Sequence, residues 1–114
     1  VSAVSSAITS AVHGSDVSVV LVASTDLTHY RSQAVAEEQD RMAIERMEGL
    51  DASGLLETVS RENLSMCGYG PTAAVLESAN AMGAEQGTLL KYATSGETAG
   101  PAREVVGYAS LVAR

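Results

Sequence analysis

Large aromatic side chains are scarce in this sequence, which has no Phe, no Trp and only four Tyr. Its core must therefore be built from aliphatic side chains, which the apolar content of 46% allows. Cysteine is scarcer still. The one Cys excludes an internal disulfide and is typical of proteins in a reducing compartment, so we expect a cytoplasmic protein.

Basic residues are also few, because one Lys and six Arg face fourteen acidic side chains and leave a net charge of −7. This balance gives no basic patch for nucleic acid, and we expect no nucleic-acid partner. No apolar run approaches the ~20 residues that span a bilayer, so we expect no membrane association. The 114 residues are enough for a single domain. Since the chain starts without Met inside a helical pattern, we expect the C-terminal portion of a longer domain.

The longest apolar run covers about Val17 to Ala23 and ends in a cluster of polar residues. Such a run predicts a strand buried on both faces, as in the interior of a parallel sheet. The expected fold class is α/β, with a layered sheet whose buried central strand is flanked by helices. Parallel sheets carry their chemistry just beyond the carboxyl ends of the strands. Asp26 and His29 stand at that position.

Turn residues and apolar periodicity predict the remaining elements. Asp51 is the expected N-cap of one helix, and Gly107 within a strand indicates a bulge or a close backbone approach. The order is α-β-α-α-α-β-β, typical of an α/β layer protein. The predicted helices cover about 1–12, 34–50, 52–63 and 71–82, and the later strands about 88–94 and 105–112, with a loop at 95–101 between these strands.

Cys67 precedes a tight turn that leads into the helix predicted to start at Pro71. Free backbone N–H groups and the helix dipole at such a turn lower a thiol's pKa and favour the thiolate, which ligates metals and attacks carbon. The alternative is a buried structural thiol, the commoner state of a lone cysteine. His13 is interpreted as a surface residue at the end of the first helix.

Asp26, His29 and Cys67 allow two kinds of chemistry if the fold brings them together. They provide the three protein ligands that a catalytic metal with an open position needs. Alternatively, Asp26 orients His29 and His29 deprotonates Cys67, which gives a nucleophile of the triad type. The hydroxyls of Ser24 and Thr25 are weaker nucleophile candidates and are interpreted as turn hydrogen-bonding groups.

Three motifs in order resemble the Memo family, in particular its prokaryotic members called AmmeMemoRadiSam system protein B. They lie at Ser24–Tyr30, Met66–Pro71 and Leu90–Gly96, and the resemblance runs from about Val17 to the end of the chain. It implies an α/β fold similar to class III extradiol dioxygenases, which are non-haem metal enzymes that open catechol rings. It also implies that Asp26 and His29 line the site. The Cys that matches Cys67 is a metal ligand in the family, beside two histidines from the other half of the domain.

Two departures from the family limit what the resemblance implies. The amino-terminal half with its two histidines lies outside this chain, and His13 is not placed to replace either. Animal members have Arg-His where this chain has Tyr69 and Gly70, so a signalling role known for the animal branch does not carry over.

The expected function is redox or oxygen-dependent chemistry at iron or copper. Cys67 is the expected metal ligand, His29 acts as an acid/base or as an outer metal ligand, and Asp26 orients His29. The other ligands come from the missing half, and the substrate is an unknown small molecule or peptide. Two alternatives remain: a non-catalytic module that binds a peptide or small anion in the same cleft, and a cysteine-nucleophile hydrolase. Metal content would separate the first reading from these two.

Overall fold

Four α-helices and a small antiparallel sheet make up the structure, a computed structural model that describes residues 1–98 and 103–114. The mixed α/β class is therefore confirmed. Part of the loop predicted at 95–101 lies outside the described residues. In chain order the elements are α1 (Ser2–His13), β1 (His29–Arg31), α2 (Gln33–Glu48), α3 (Ala52–Arg61), α4 (Tyr69–Ala81), β2 (Gly87–Thr94), a short 3-10 helix (Ser95–Glu97) and β3 (Val105–Ala113).

The central strand of the sheet is β3, which pairs antiparallel with β1 on one side and with β2 on the other. Both β2 and β3 were predicted, and their pairing runs from Gly87 opposite Ala113 to Thr94 opposite Gly107. The three-residue β1 falls where no strand was predicted. Its shortness and its polar residues give no strand pattern, and it forms only because β3 offers a free edge there.

The prediction of a buried strand at Val17–Ala23 is wrong for this structure. The segment is not part of any strand that the structure describes, and Val19 and Val22 are 43% and 81% exposed. An apolar run forms a strand only where a neighbouring strand completes its backbone hydrogen bonds. Among the residues described here, no strand lies alongside this segment.

The core lies between α2, α3, α4 and one face of the sheet, and it is aliphatic as expected. α2 packs on β2 and β3, whereas α3 packs on α2 and α4 and does not cover the sheet itself. The helix predicted at about 34–50 is confirmed as α2, and the apolar side chains spaced along this segment are buried: Ala36, Ala43, Ile44, Met47 and Leu50. Among the described residues, no helix has the length and apolar character needed to cross a membrane.

Candidate metal site

The turn that carries Asp26 and His29 is anchored by the two residues between them. Leu27 and Thr28 are each 2% exposed, and both pair with the backbone of Gly107 in β3. The N–H of Leu27 donates to the Gly107 carbonyl, and the N–H of Gly107 donates to the Thr28 carbonyl, each at 2.9 Å. This anchoring leaves Asp26 and His29 partly exposed at the edge of the sheet, one on each side of a buried pair.

A second segment, between α3 and α4, brings Cys67 to the same place. Burial alternates along it, because Leu64 and Met66 are in the core while Ser65 and Cys67 are exposed. The N–H of Gly68 donates to the Thr25 hydroxyl at 2.8 Å. A Cβ on Gly68 would lie only 2.6 Å from the Cβ of Thr25, so the close approach of the two segments depends on glycine here.

The two segments place one oxygen, one nitrogen and one sulfur donor around a common point. The ligand atoms of Asp26, His29 and Cys67 all lie within 4.8 Å of one another, and the His29 Nε2 and the Asp26 Oδ2 are 3.8 Å apart. The predicted convergence of the three residues is thus confirmed, although the strand expected to lead into the first turn does not form.

The Cys67 sulfur is held by groups of the first turn. The backbone N–H of Asp26 lies 3.3 Å from the sulfur, and the Thr25 hydroxyl oxygen lies 3.7 Å from it. The Asp26 N–H and then the Thr25 hydroxyl lower the pKa of the Cys67 thiol, against a smaller opposing effect of burial. The lowered pKa agrees with the sequence-based expectation, but the donors named here lie in the Asp26 turn and not at the start of α4.

The imidazole of His29 is fixed in one orientation by Ser65. Its Nδ1 lies 2.7 Å from the Ser65 carbonyl oxygen, and its backbone N–H donates to the Ser65 hydroxyl at 2.8 Å. A carbonyl can only accept, so Nδ1 carries a proton, and in the neutral form of the ring the lone pair lies on Nε2. The Ser65 carbonyl therefore orients the ring. Asp26 faces Nε2, the nitrogen that would bind a metal or a proton.

The other residues considered from sequence are not part of this donor group. His13 lies exposed at the C-terminal end of α1, which agrees with its interpretation as a surface residue. Thr25 orders the turn, because its hydroxyl donates to the Asp26 carbonyl at 2.8 Å and accepts from Gly68. Tyr30, beside His29, is 71% exposed and has a φ of 59°, an uncommon backbone conformation for a residue other than glycine.

Sequence reasoning missed two residues that shape the site, Ser65 and Asp40. The alternation of Leu64-Ser65-Met66-Cys67 could have shown that Ser65 and Cys67 leave the core on the same side. Asp40 had a signal as well, because it lies four residues after Ala36 and three before Ala43, which places its carboxylate on the apolar face of α2. It is 2% exposed and accepts hydrogen bonds from Thr28.

Known proteins similar to this chain share one family description. A sequence model described as Memo-like protein matches residues 1–112, so the similarity also includes α1, upstream of the motifs. A MEMO1 family protein of Methanopyrus kandleri is 52% identical over 99 residues, which are 87% of this chain and 35% of that protein. Proteins of the same description from Methanothermobacter thermautotrophicus and Thermotoga maritima are 43% and 46% identical, over 92% and 82% of this chain and 38% and 32% of their own lengths. The chain thus spans about a third of the curated relatives that it matches.

Proposed function

Since this chain belongs to the Memo-like protein family, we propose that it supplies Cys67, His29 and Asp26 to a redox-active metal centre, with iron or copper as the metal. The observation that carries the proposal is the convergence of three different donor atoms within 4.8 Å. We place this centre in a reducing compartment, the cytoplasm, because the one thiol has no disulfide partner in the chain.

The donor set fits a first-row transition metal. Two ligands bound at about 2.1 and 2.3 Å from one ion are at most about 4.4 Å apart, so the observed separations need only small side-chain rotations. A thiolate and an imidazole are ligands that iron and copper accept, while magnesium and calcium prefer oxygen alone. In the resemblance to the Memo family, two histidines from the rest of the domain complete the ligands beside Cys67.

The chain's own residues have separate tasks in this centre. The Ser65 carbonyl holds the proton on Nδ1 of His29, so that Nε2 presents a lone pair. The Asp26 N–H lowers the pKa of the Cys67 thiol and so favours the thiolate that a metal binds. The Asp26 carboxylate, with a side chain 48% exposed, is available as a third ligand or as the acceptor of a proton from a substrate hydroxyl. When bound, the metal would supply an electron-transfer centre with an open position for a small-molecule substrate.

The hydrolase alternative has less support in the geometry. A triad needs one ring nitrogen of the base on the nucleophile and the other on the orienting carboxylate. Here Nδ1 of His29 contacts the Ser65 carbonyl and Nε2 faces Asp26. Among the described residues, the Cys67 sulfur is within hydrogen-bond distance of Thr25 and Asp26. If Nε2 accepts the proton of Cys67, Nδ1 stays on the Ser65 carbonyl, and Asp26 does not orient the ring as a triad requires.

Metal titration of the full-length protein tests the proposal. We expect one iron or copper ion to bind per protein chain. Cys67→Ser or His29→Gln should weaken that binding by more than about 100-fold, because loss of a residue that only supports a ligand already costs up to about 100-fold in metal affinity. His13→Gln is the matched control, because it removes an imidazole on the surface of α1 and should leave affinity unchanged.

Oxygen uptake with a series of catechols then tests the chemistry in the metal-loaded protein. Uptake that Cys67→Ser abolishes and His13→Gln preserves would support a dioxygenase-like reaction. A full-length protein that binds neither metal, or that binds it equally well without Cys67, would contradict the proposal and favour the binding-module alternative.

A further inference from the structure

Asp40 is a buried carboxylate in the middle of α2, where its exposure is only 2%. A buried charge is costly unless it is fully hydrogen-bonded or paired. Among the described residues no cationic side chain forms an ion pair with it. Its oxygens are satisfied by three hydrogen bonds instead: from the Thr28 N–H at 2.9 Å, the Thr28 hydroxyl at 2.6 Å and the Tyr92 hydroxyl at 2.6 Å.

Two of these three bonds come from Thr28, the residue immediately before His29. Oδ1 of Asp40 accepts both the backbone N–H and the hydroxyl of Thr28, which fixes the backbone and the side-chain rotamer of one residue. The Thr28 carbonyl is held on its other side by the N–H of Gly107. Thr28 is therefore held between α2 and β3. It directly precedes His29, whose Nε2 faces the Asp26 carboxylate.

The sheet makes room for this carboxylate. A Cβ on Gly107 would collide with Oδ2 of Asp40, so β3 carries glycine at the point where the helix side chain reaches the strand. Burial and the hydrogen bond to Asp40 raise the pKa of Tyr92, whose hydroxyl therefore keeps its proton and donates. Three elements, α2, β2 and β3, are thus shaped around one carboxylate.

We infer that Asp40 is a positioning residue for the metal site: by clamping Thr28 it sets the location of His29 and Asp26 relative to Cys67. The inference rests on the proposed function, since it assigns Asp40 to that same site. A purely structural role would not require this placement, because an apolar side chain of similar volume stabilises a core at least as well as a buried charge does. What the carboxylate adds is a fixed acceptor for both donors of Thr28.

The test compares two single hydrogen bonds that meet the same carboxylate at the same 2.6 Å. Thr28→Val removes the hydroxyl on the site side of Asp40, and Tyr92→Phe removes the one on the far side. Metal affinity and urea stability of the full-length protein are measured for both variants. If Asp40 positions the site, Thr28→Val weakens metal binding at least tenfold and Tyr92→Phe less than twofold, at similar losses of stability.

Asp40→Asn and Asp40→Ala complete the series. The Asn oxygen accepts both Thr28 donors and its amide can donate to the Tyr92 oxygen, so Asp40→Asn should bind metal within threefold of the wild type. Asp40→Ala should lose at least tenfold if it folds. Equal affinity losses for Thr28→Val and Tyr92→Phe, or an unchanged affinity in a folded Asp40→Ala protein, would overturn the inference.

A metal-free measurement separates this inference from the proposed function. Nitrogen NMR of the His29 ring reports whether the proton stays on Nδ1 in the metal-free protein. We expect a single Nδ1–H tautomer in the wild type and in Tyr92→Phe, and a tautomer mixture in Thr28→Val. If the wild type binds no metal, the proposed function fails, while the tautomer comparison still decides whether Asp40 positions His29.

Discussion

The β2–β3 hairpin and the segment Val17–Ala23 are similar in apolar composition but differ in structure. Both are apolar and rich in β-branched or aliphatic residues, and both were predicted as strands. The hairpin forms a regular ladder, with Leu89 opposite Leu111. The segment is unpaired within the described structure, and Val20 is 85% exposed.

The difference shows that strand formation depends on a partner more than on composition. β2 finds β3 within the same chain, and each strand satisfies the other's backbone groups. Val17–Ala23 has no such neighbour in the described residues and forms one wall of an apolar groove of about 530 Å³. The opposite walls come from α4 and β3, including Val75, Ala79 and Leu111. An exposed apolar groove of this kind predicts that the chain is prone to aggregation and only marginally stable.

The largest effect is expected from extending the chain to the full length of its relatives. If Val17–Ala23 needs a neighbouring strand, its backbone amides should exchange with solvent at least about 100-fold more slowly in the longer protein, because paired amides open only through local unfolding. Hydrogen exchange read by mass spectrometry measures this. Iron or copper affinity should rise together with stability, since a ligand that binds only the folded form shifts folding by mass action.

The amides of β2 and β3 are the internal control for that experiment, since they are paired already and should change far less. Equally fast exchange of Val17–Ala23 in both proteins would show that the segment stays unpaired and exposed in the longer protein as well. Equally tight metal binding by both would mean that Asp26, His29 and Cys67 form a self-contained site.

A pair of valines gives the next largest effect. Val105 in β3 is 0% exposed, and Val20 in the unpaired segment is 85% exposed. In this chain Val105→Ala should lower the free energy of unfolding by about 2 kcal/mol, from two buried carbons at roughly 0.8 kcal/mol each and a cavity term. Val20→Ala should change it by less than about 0.5 kcal/mol. Urea titration of both variants checks the difference.

The same pair sharpens the comparison when it is repeated in the longer protein. There, Val20→Ala should become as costly as Val105→Ala if the segment is buried by a neighbouring strand. A Val20→Ala cost that stays near zero in both proteins would contradict the explanation of the apolar run given above.

The four described α-helices and the hairpin could be predicted because their signals and partners lie close in the sequence. The apolar face of α2 has helical spacing, and Gly107 marks the point where a buried side chain reaches β3. β1 could not be predicted, because three polar residues pair only through the tertiary position of β3. The strand predicted at Val17–Ala23 does not form for the opposite reason, since its pattern is strong but no strand of the described residues lies beside it.

The candidate site divides in the same way. Asp26, His29 and Cys67 could be selected from their residue types and motifs, and the structure brings them together. The groups that hold them could not be selected. Ser65 acts through its backbone carbonyl, which no side-chain pattern shows. Asp40 lies on the apolar face of α2, but its partners Thr28 and Tyr92 are 12 and 52 residues away in the sequence. Which donors a residue finds is decided by tertiary contacts.

The smallest difference between this chain and the longer protein is expected at the N-cap of α3, where the capping side chain and the N–H that it accepts from are only three residues apart. Asp51 was predicted to cap α3, and its carboxylate accepts from the Gly54 N–H at 2.9 Å and from Arg46 at 2.8 Å. Asp51→Ala should therefore cost about 1 kcal/mol of unfolding free energy in this chain and in the longer protein alike. Asp51→Asn should cost less, because Asn caps helices as well as Asp does and only the charge beside Arg46 is lost.

The pH dependence of this cap provides a second check. The Gly54 N–H, and then Arg46, lower the pKa of the Asp51 carboxyl below its ordinary value of 3.8. A carboxyl with a lowered pKa in the folded state stabilises the protein fully above its ordinary pKa, and this contribution is lost as the pH falls through the folded value. The stability advantage of the wild type over Asp51→Asn should thus be constant above about pH 5 and disappear in acid. An advantage that persists in acid would mean that the charge of Asp51 contributes nothing to the cap.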